Sequence, residues 1–473
     1  MHPRTLWLLL LLLTGRLHAQ VGPLTLLTPG QVREDILFTA RTIESMHPNA
    51  FHSSTRKQFY RLRDSLIESV SSSMEPTDTW PLIARLCAAV NEGHTHAWYS
   101  DYFGKHLLEG RFGLFPLTIA QVSPAGLIVR EDLSDESSLK AGDRITSING
   151  RPVADLYAWF ISLYGGLPAW RHKRINDDAI GLLHHAGIRS PYRIRYLQEG
   201  QEKEKELRSI SYPVFNERRD RARSVIKSLK APAYAFRRLP GNLALLEFNS
   251  MEGDPKAFDR FLEDSFKTFR ERPIEGLIVD LRKNGGGNSV FGWYLLQYIA
   301  HKPFNMSGGT LWKVSPEGRK FFAEADSATR ARLDSARWAR YLAKRDGYIF
   351  RSKAGKPDPL ADNPYRYTGK VAVLIGACTF SSANMTANTI QDFQLATLIG
   401  EPTGEPANDY GEVLYFETPH GKVPCGSSSK MFVRANGDVR DKNPVLPDIL
   451  VRQDPDSKED QVLEAARKWM RGK

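Results

Sequence analysis

Three short segments hold residue types that could share one reaction. In Gly376-Ala377-Cys378-Thr379-Phe380-Ser381-Ser382-Ala383-Asn384, serines lie between a strand pattern and a helix pattern. A serine just before a helix has two readings. As an N-cap, its oxygen accepts a hydrogen bond from an early helical N–H. As a nucleophile, Ser381 would attack a carbonyl whose developing oxyanion is held by the next backbone N–H and by an amide from a second loop. That second loop is Arg282-Lys283-Asn284-Gly285-Gly286-Gly287, between a buried strand and a helix. Its glycines allow close backbone approach and leave N–H groups free at the positive helix end. Both loops sit at the C-terminal ends of core strands, so the two devices can meet. The third segment, Gly93-His94-Thr95-His96, follows a helix whose fixed end could aim a side chain. His94 is the candidate base, since an imidazole of pKa about 6.5 exchanges protons near neutrality. His96 reads as a surface or packing histidine.

The same residues speak against other chemistries. The triglycine spacing is not G-x-G-x-x-G, which disfavours a dinucleotide site, and no Gly-Lys-Ser/Thr follows to make a phosphate loop. The chain has no G-x-S-x-G elbow of the α/β-hydrolase type. Cys378 has no basic neighbour to lower its thiol pKa and reads as a buried strand-end residue. His184-His185, without carboxylate spacing, reads as solvent-facing rather than metal-binding. No metal or organic cofactor is required.

The elements that must position these loops follow from periodicity. Thr28 with Gln31 predicts a capping box, and Val32, Ile36, Ala40 and Ile43 run at helical spacing until Pro48. Further stripes are Phe59, Leu62, Leu66 and Val70, then Trp80, Ile83, Leu86 and Val90, ending at Asn91-Glu92-Gly93. From about Arg111 short strands take over: Phe115 to Ile119, Leu127 to Val129, then Arg144 to Ile148 with a type I′ turn at Asn149-Gly150. Gln198 to Glu206 reads as a solvated hairpin. Strands at Asn242 to Phe248, Glu275 to Leu281, Val371 to Ile375 and Ala396 to Gly400 alternate with helices at Phe258 to Phe269, Val290 to Ile299 and Ser382 to Asp392, which predicts an α/β layered core. The stretch from His301 to Pro364 reads as a helical insertion over the site.

Two resemblances attach to these residues. Ser138-Leu139-Lys140-Ala141-Gly142-Asp143-Arg144-Ile145-Thr146-Ser147-Ile148-Asn149-Gly150 resembles a PDZ domain of the kind attached to exported proteases. Such domains add an extended peptide to a sheet edge; a purely structural spacer is the other reading. Val279-Asp280-Leu281-Arg282, Asn284-Gly285-Gly286-Gly287, Thr379-x-Ser381-Ser382-Ala383 and Asp441 followed by Val445-x-Pro447-Asp448 resemble the serine peptidases that include the bacterial tail-specific (C-terminal processing) proteases and the tricorn core protease. The stretch Gly400-Glu401-Pro402-Thr403-Gly404-Glu405-Pro406, where that family's dyad lysine would stand, has none. The resemblance is therefore closer to the histidine-containing, tricorn-like branch. It implies Ser381 as nucleophile, His94 as base and Asp441 as the orienting carboxylate. Gly287 and Ser382 would offer the oxyanion-hole amides, and Gly286 and Phe115 are assigned to substrate binding. The implied architecture is a helical N-terminal unit over 20–110 carrying the histidine loop, a PDZ-like β domain over 111–210, a crotonase/ClpP-like α/β peptidase core over 232–453 with an insertion over about 301–364, and a C-terminal helix over 454–473. Asn384, at a position usually glutamate, and Asp441, where glutamate is frequent, also motivate an alternative, a peptide-binding or scaffolding protein with impaired catalysis.

Composition sets the remaining bounds. With 473 residues, 41% hydrophobic and 25% charged, the chain is long enough for several folded units and is neither disordered nor multispanning. Lys plus Arg number 65 against 54 acidic residues, a balance of +11, but scattered, so nucleic-acid binding is unsupported. Three cysteines allow at most one disulfide. Arg4, the apolar run Leu6 to Leu13 and Leu17-His18-Ala19 read as a signal peptide over 1–19, too short to span a bilayer, which predicts export to the periplasm or beyond. A polypeptide, extended or C-terminal, is the expected partner; oligomeric state is left open.

Overall fold

The computed structural model describes residues 26–224, 232–326, 335–454, 457 and 459–472; the signal peptide over 1–19 lies outside them. The chain opens with helices α1 (Pro29–Met46), α2 (Arg56–Ser69) and α3 (Pro76–Ala88). Thr28 and Gln31 form the expected capping box on α1, and Thr55 with Gln58 forms a second one on α2. The α1 stripe Val32, Ile36, Ala40 and Ile43 is fully buried. After α3, Asn91 turns the chain at φ +63°. The His94 loop then runs into the short strand β1 (His96–Ala97).

Helix α4 (Asp101–Leu108) leads to a second unit: β2 (Leu117–Ser123), β3 (Gly126–Asp132), β4 (Arg144–Ile148), β5 (Arg151–Pro152), α5 (Val153–Ile161), α6 (Pro168–His185), β6 (Tyr192–Gln198), β7 (Gln201–Leu207) and α7 (Tyr212–Ser224). Its sheet runs β2-β3-β4-β6-β7, with β5 on β4. Asn149 and Gly150 both take positive φ, 50° and 77°, as a type I′ turn requires. The charged stretch forms the β6/β7 hairpin, paired from Gln198↔Gln201 to Tyr192↔Leu207. This unit does not own a separate core. One apolar cluster runs from Leu27 through Trp80, Phe115 and Leu156 to Leu207 and takes in Cys425 of a later strand and Val423 just before it. Two corrections belong here. Phe115 is 2% exposed and edge-on to the Tyr192 ring at 5.0 Å, so its side chain is part of this core and is not presented to a peptide. His184 and His185 do not face solvent, because both stand among aromatic rings: Phe103 lies within 5.0 Å of each, and Trp80 and Tyr99 lie 4.7 Å from His185.

The third unit comprises β8 (Tyr234–Leu239), β9 (Leu243–Phe248), α8 (Pro255–Glu271), β10 (Gly276–Asp280), α9 (Val290–Ile299), β11 (Gly309–Lys313), α10 (Pro316–Glu324), α11 (Ser335–Leu342), β12 (Ile349–Lys353), β13 (Val371–Ile375), α12 (Ser382–Phe393), β14 (Thr397–Gly400), β15 (Asp409–Glu417), β16 (Pro424–Val433), β17 (Ile449–Leu450) and α13 (Gln461–Met470). Its main sheet runs β17-β14-β13-β10-β9-β8, parallel except for β8. The central strands are apolar on both faces, as parallel strands covered twice must be. Ala244, Leu246, Leu277, Val279 and Val373 meet the side with Phe258, Leu295 and Ala387, from α8, α9 and α12. Leu243, Leu245, Ile278, Ala372 and Leu374 meet Val462, Ala466 and Met470 of α13. The molecule is therefore an α/β layered structure.

A second sheet runs β1-β16-β11-β12, with β15 on β16. The 301–364 stretch is not simply helical. It supplies β11 and β12 to this sheet, around a small core of Trp312, Val314, Trp338 and Tyr341. The pairing of β1 with β16, His96↔Gly426 and Ala97↔Cys425, ties the N-terminal histidine loop to the α/β unit.

Candidate active site

Strands β10, β13 and β14 are parallel neighbours, and the loops leaving their C-terminal ends meet. The loop after β10 holds the glycines, that after β13 holds Ser381, and that after β14 holds Glu405. Side chains and backbone stitch the first two together. Thr379 Oγ1 donates to Leu281 O at 2.9 Å, Phe380 N to Asn284 O at 3.1 Å, and Ser382 Oγ to Gly287 O at 2.6 Å. Asn284, fully buried, donates to Phe248 O and accepts from Gly286 N, each at 2.9 Å. The third loop presses on the second: Gly404 N donates to Thr379 O at 3.1 Å, and a Cβ on Gly404 would lie 2.1 Å from Ala377 O.

Ser381 stands at the N-terminus of α12, yet it is not a cap, since its side chain accepts no hydrogen bond from the helix. Its backbone is held at φ 54°, ψ −127°, a conformation that costs a non-glycine residue about 1–3 kcal/mol. Such a strained turn between strand and helix projects a side chain out of the chain's path. Gly286, at φ +93°, lies directly against it; a Cβ there would come within 2.6 Å of Ser381 Cβ and 2.8 Å of Ser382 N. Glycine is required for both reasons. Gly286 N–H is spent on Asn284, whereas the N–H groups of Gly287 and Ser382 have no acceptor among the described residues. Two free amides beside a serine at a helix N-terminus form a site for developing negative charge.

His94 arrives from the other direction. Its ring lies 4.7 Å from that of Phe380, which in turn stacks on Trp170 of α6 at 3.9 Å. Gly93 permits this approach, because a Cβ there would meet the Phe380 ring at 2.5 Å. The His94 side chain is 13% exposed, and its Nδ1 is buried without a hydrogen bond. Two carboxylates flank that nitrogen: Glu405 Oε2 at 3.5 Å and Glu92 Oε2 at 3.8 Å. Glu405 also accepts the Ser381 N–H through Oε1. It thus joins the serine's backbone to the imidazole. Ser381 Oγ and the ring are not hydrogen-bonded to each other.

Asp441 is placed elsewhere. Its carboxylate pairs with Arg434, which also binds Asp392, and accepts from Asn443 N at 2.9 Å. The acids that reach the imidazole, Glu405 and Glu92, were not among the residues expected there. Both had a signal in the sequence: Glu405 occupies the stretch where a lysine was sought, and Glu92 lies two residues before the histidine. Their burial could not be read from that.

The electrostatics follow from burial without a cation. Glu92, Glu405 and Asp409 are each about 95% buried. Burial first, then the charge of Asp409, pushes the Glu405 carboxyl well above the usual carboxylate range; burial does the same to Asp409. Burial alone lowers the His94 imidazole to about 4. The ring therefore rests neutral, while burial shifts Glu92 and Glu405 toward, without fixing them in, their protonated forms. A neutral imidazole is the form that accepts a proton from a serine hydroxyl, and the imidazolium so formed would meet a carboxyl able to ionise beside it. Cys378 is half-buried and burial raises its thiol, which leaves it a poor nucleophile. Among the described residues no group of His, Cys, Asp and Glu is arranged to hold a metal ion, and no helix is long and apolar enough to cross a membrane.

Residues 242–451 match the model of peptidase family S41. No curated protein matches the chain. Among solved structures, mature CPAF complexed with lactacystin aligns with a TM-score of 0.60 at 14% identity, covering 94% of this chain and 97% of that one. A point mutant of CPAF aligns with a TM-score of 0.62, also at 14% identity, covering 94% and 96%. At such identity the likeness is one of fold.

Proposed function

From the match of residues 242–451 to peptidase family S41, we propose that this protein is an exported serine endopeptidase of the tricorn-like kind, cleaving polypeptide through an acyl-enzyme. Ser381 attacks the scissile carbonyl and His94 takes its proton, later passing it to the leaving amine. Glu405, rather than Asp441, orients the imidazole and stabilises its charged form. The amides of Gly287 and Ser382 receive the oxyanion. The observation that carries this reading is the strained, uncapped Ser381 beside two unpaired N–H groups, with a carboxylate joining its backbone to a buried imidazole.

The 111–210 segment is read as a PDZ-like tether for extended substrate. Its β2 edge donor, Val122 N–H, is bonded to Asn176 Oδ1 of α6 at 2.7 Å, so strand addition at this edge requires that bond to give way. Cleavage of an unfolded polypeptide by the wild-type chain, with loss of cleavage in Ser381→Ala, tests the proposal; equal hydrolysis by both would refute it. The second reading, a binding protein with impaired catalysis, draws on the absent Ser381–His94 hydrogen bond. It predicts peptide binding by both proteins and cleavage by neither.

A further inference from the structure

Behind His94 the structure continues into a buried polar layer that the reaction above does not use. Glu92 Oε2 accepts the His94 backbone N–H at 2.5 Å, in addition to lying near its Nδ1. Glu92 Oε1 accepts from Ser428 Oγ of β16 at 3.0 Å and stands 3.7 Å from Nε2 of His47. His47, at the end of α1, is fully buried. Its Nδ1 accepts the Asn49 N–H at 3.0 Å, so the neutral ring must carry its proton on Nε2, the nitrogen that faces Glu92. That Nε2 has no other partner. The layer is closed by Tyr410, whose ring is 4.6 Å from those of both His47 and His52, and by Lys313 of β11, whose Nζ donates to His47 O at 3.1 Å. The titratable groups around Glu92 are thus His47, His94, Glu405, Asp409 and Tyr410, with Lys313 and Lys442 one residue further out.

We propose that Glu92, bonded to Ser428 and lying beside His47, is a second positioning acid for His94, fixing the histidine loop through the backbone N–H and biasing the imidazole at Nδ1, the nitrogen that Glu405 also faces. A carboxylate that touched only the backbone would be a loop clasp. One that also lies beside Nδ1 changes how easily the ring takes up a proton, because removing a nearby negative charge lowers an imidazole pKa. His47 acts one step removed: its neutral Nε2–H, 3.7 Å from Oε1, favours the ionised carboxylate, the role of an outer partner to an inner one.

This inference rests on the peptidase reading, and the experiment separates the two. The full chain is treated with a fluorophosphonate probe, and the second-order rate of Ser381 labelling is followed against pH. Wild-type labelling that disappears in Ser381→Ala upholds the reading; absence of wild-type labelling overturns both the reading and this proposal. Given labelling, Glu92→Gln keeps an acceptor for the His94 N–H but removes the charge. It is expected to slow labelling about tenfold or more and to move the pH midpoint downward, while Glu92→Asp keeps the wild-type midpoint. A Glu92→Gln rate and midpoint equal to wild type would overturn the proposal and leave the peptidase reading standing. Should Glu92→Gln fail to fold, His47→Gln decides: a slower rate with the midpoint displaced supports the proposal, and an unchanged profile contradicts it.

Discussion

Glu405 performs two tasks with two oxygens, one on the Ser381 N–H and one beside His94 Nδ1. Replacing it should therefore hurt more than replacing Asp441. We expect Glu405→Gln to lower kcat by about 10²–10⁴-fold with little change in KM, by analogy of role with a triad acid. Asp441→Ala should leave kcat within a small factor. Its effect falls on stability, about 1–3 kcal/mol, because a mostly buried Arg434 loses one of its two carboxylates. Steady-state kinetics and denaturant unfolding of the two variants check this pair; inactivity of Asp441→Ala with an intact Glu405→Gln would reverse the assignment. Burial also sets the pH response. With the imidazole lowered to about 4, the base is still neutral at pH 5.5, where an ordinary histidine is mostly protonated. The acid limb of kcat/KM should accordingly fall below pH 6.5, and a midpoint at 6.5 or above would contradict the burial argument. The proposal for Ser381, His94, Gly287 and Ser382 could be framed from motif and chemistry, because the loops that hold them were recognisable in the sequence. That for Glu92 and Glu405 could not, because an acidic residue on a loop ordinarily faces water, and only the pairing of β1 with β16 and the pressure of the β14 loop on the β13 loop bury them.

At the level of elements, the site is built by three adjacent parallel strands that release their loops on one side of the sheet. The alternation of apolar strand and amphipathic helix predicted those strands, and the reasoning that both loops end at C-terminal strand ends predicted their meeting. The insertion was harder. Trp312 and Phe350 lie on short strands that pair only with each other and with β16, so their pattern carries no local sign of a sheet, while the Ala- and Arg-rich stretch between them reads as helix. The close approach of the glycine loop gives a sharp test of this assembly. Gly286→Ala places a methyl group 2.6 Å from Ser381 Cβ at a φ of +93°, so the two loops must separate. The expected outcome is loss of labelling and cleavage by about 100-fold or more with the fold retained by circular dichroism, since one displaced oxyanion donor alone costs that much. Wild-type activity in Gly286→Ala would show that the loops need not touch.

Across the whole molecule, one apolar cluster joins the N-terminal helices, the sheet from β2 to β7 and strand β16. Residues 20–110 and 111–210 looked separable because each has its own periodicity; packing merges them. Several histidines are drawn into that packing. His47 and His184 are buried and His52, His94, His96 and His185 partly so; burial pushes all six down, His52, His94 and His184 to about 4 and His96 to about 3. For a group held neutral in the fold, the unfolded chain binds the extra proton below pH 6.5. Its contribution to stability is therefore complete above that pH and lost as pH falls toward the folded value. The raised Glu405 and Asp409 act in the opposite sense, so a single histidine is the cleaner probe. His185, among Trp80, Tyr99 and Phe103, is remote from the reacting loops. His185→Phe should flatten the dependence of unfolding free energy on pH below 6.5 by up to one proton, about 1.4 kcal/mol per pH unit. An unchanged slope would mean that His185 already charges in the folded state.

The most direct test of the central claim is to locate the adduct of a fluorophosphonate probe by peptide mass spectrometry in the wild-type chain and in His94→Ala. The account predicts a single modified residue, Ser381, with labelling lost or slowed by orders of magnitude when the imidazole is removed. Modification at another serine, or equal labelling of Ser381 without His94, would contradict it.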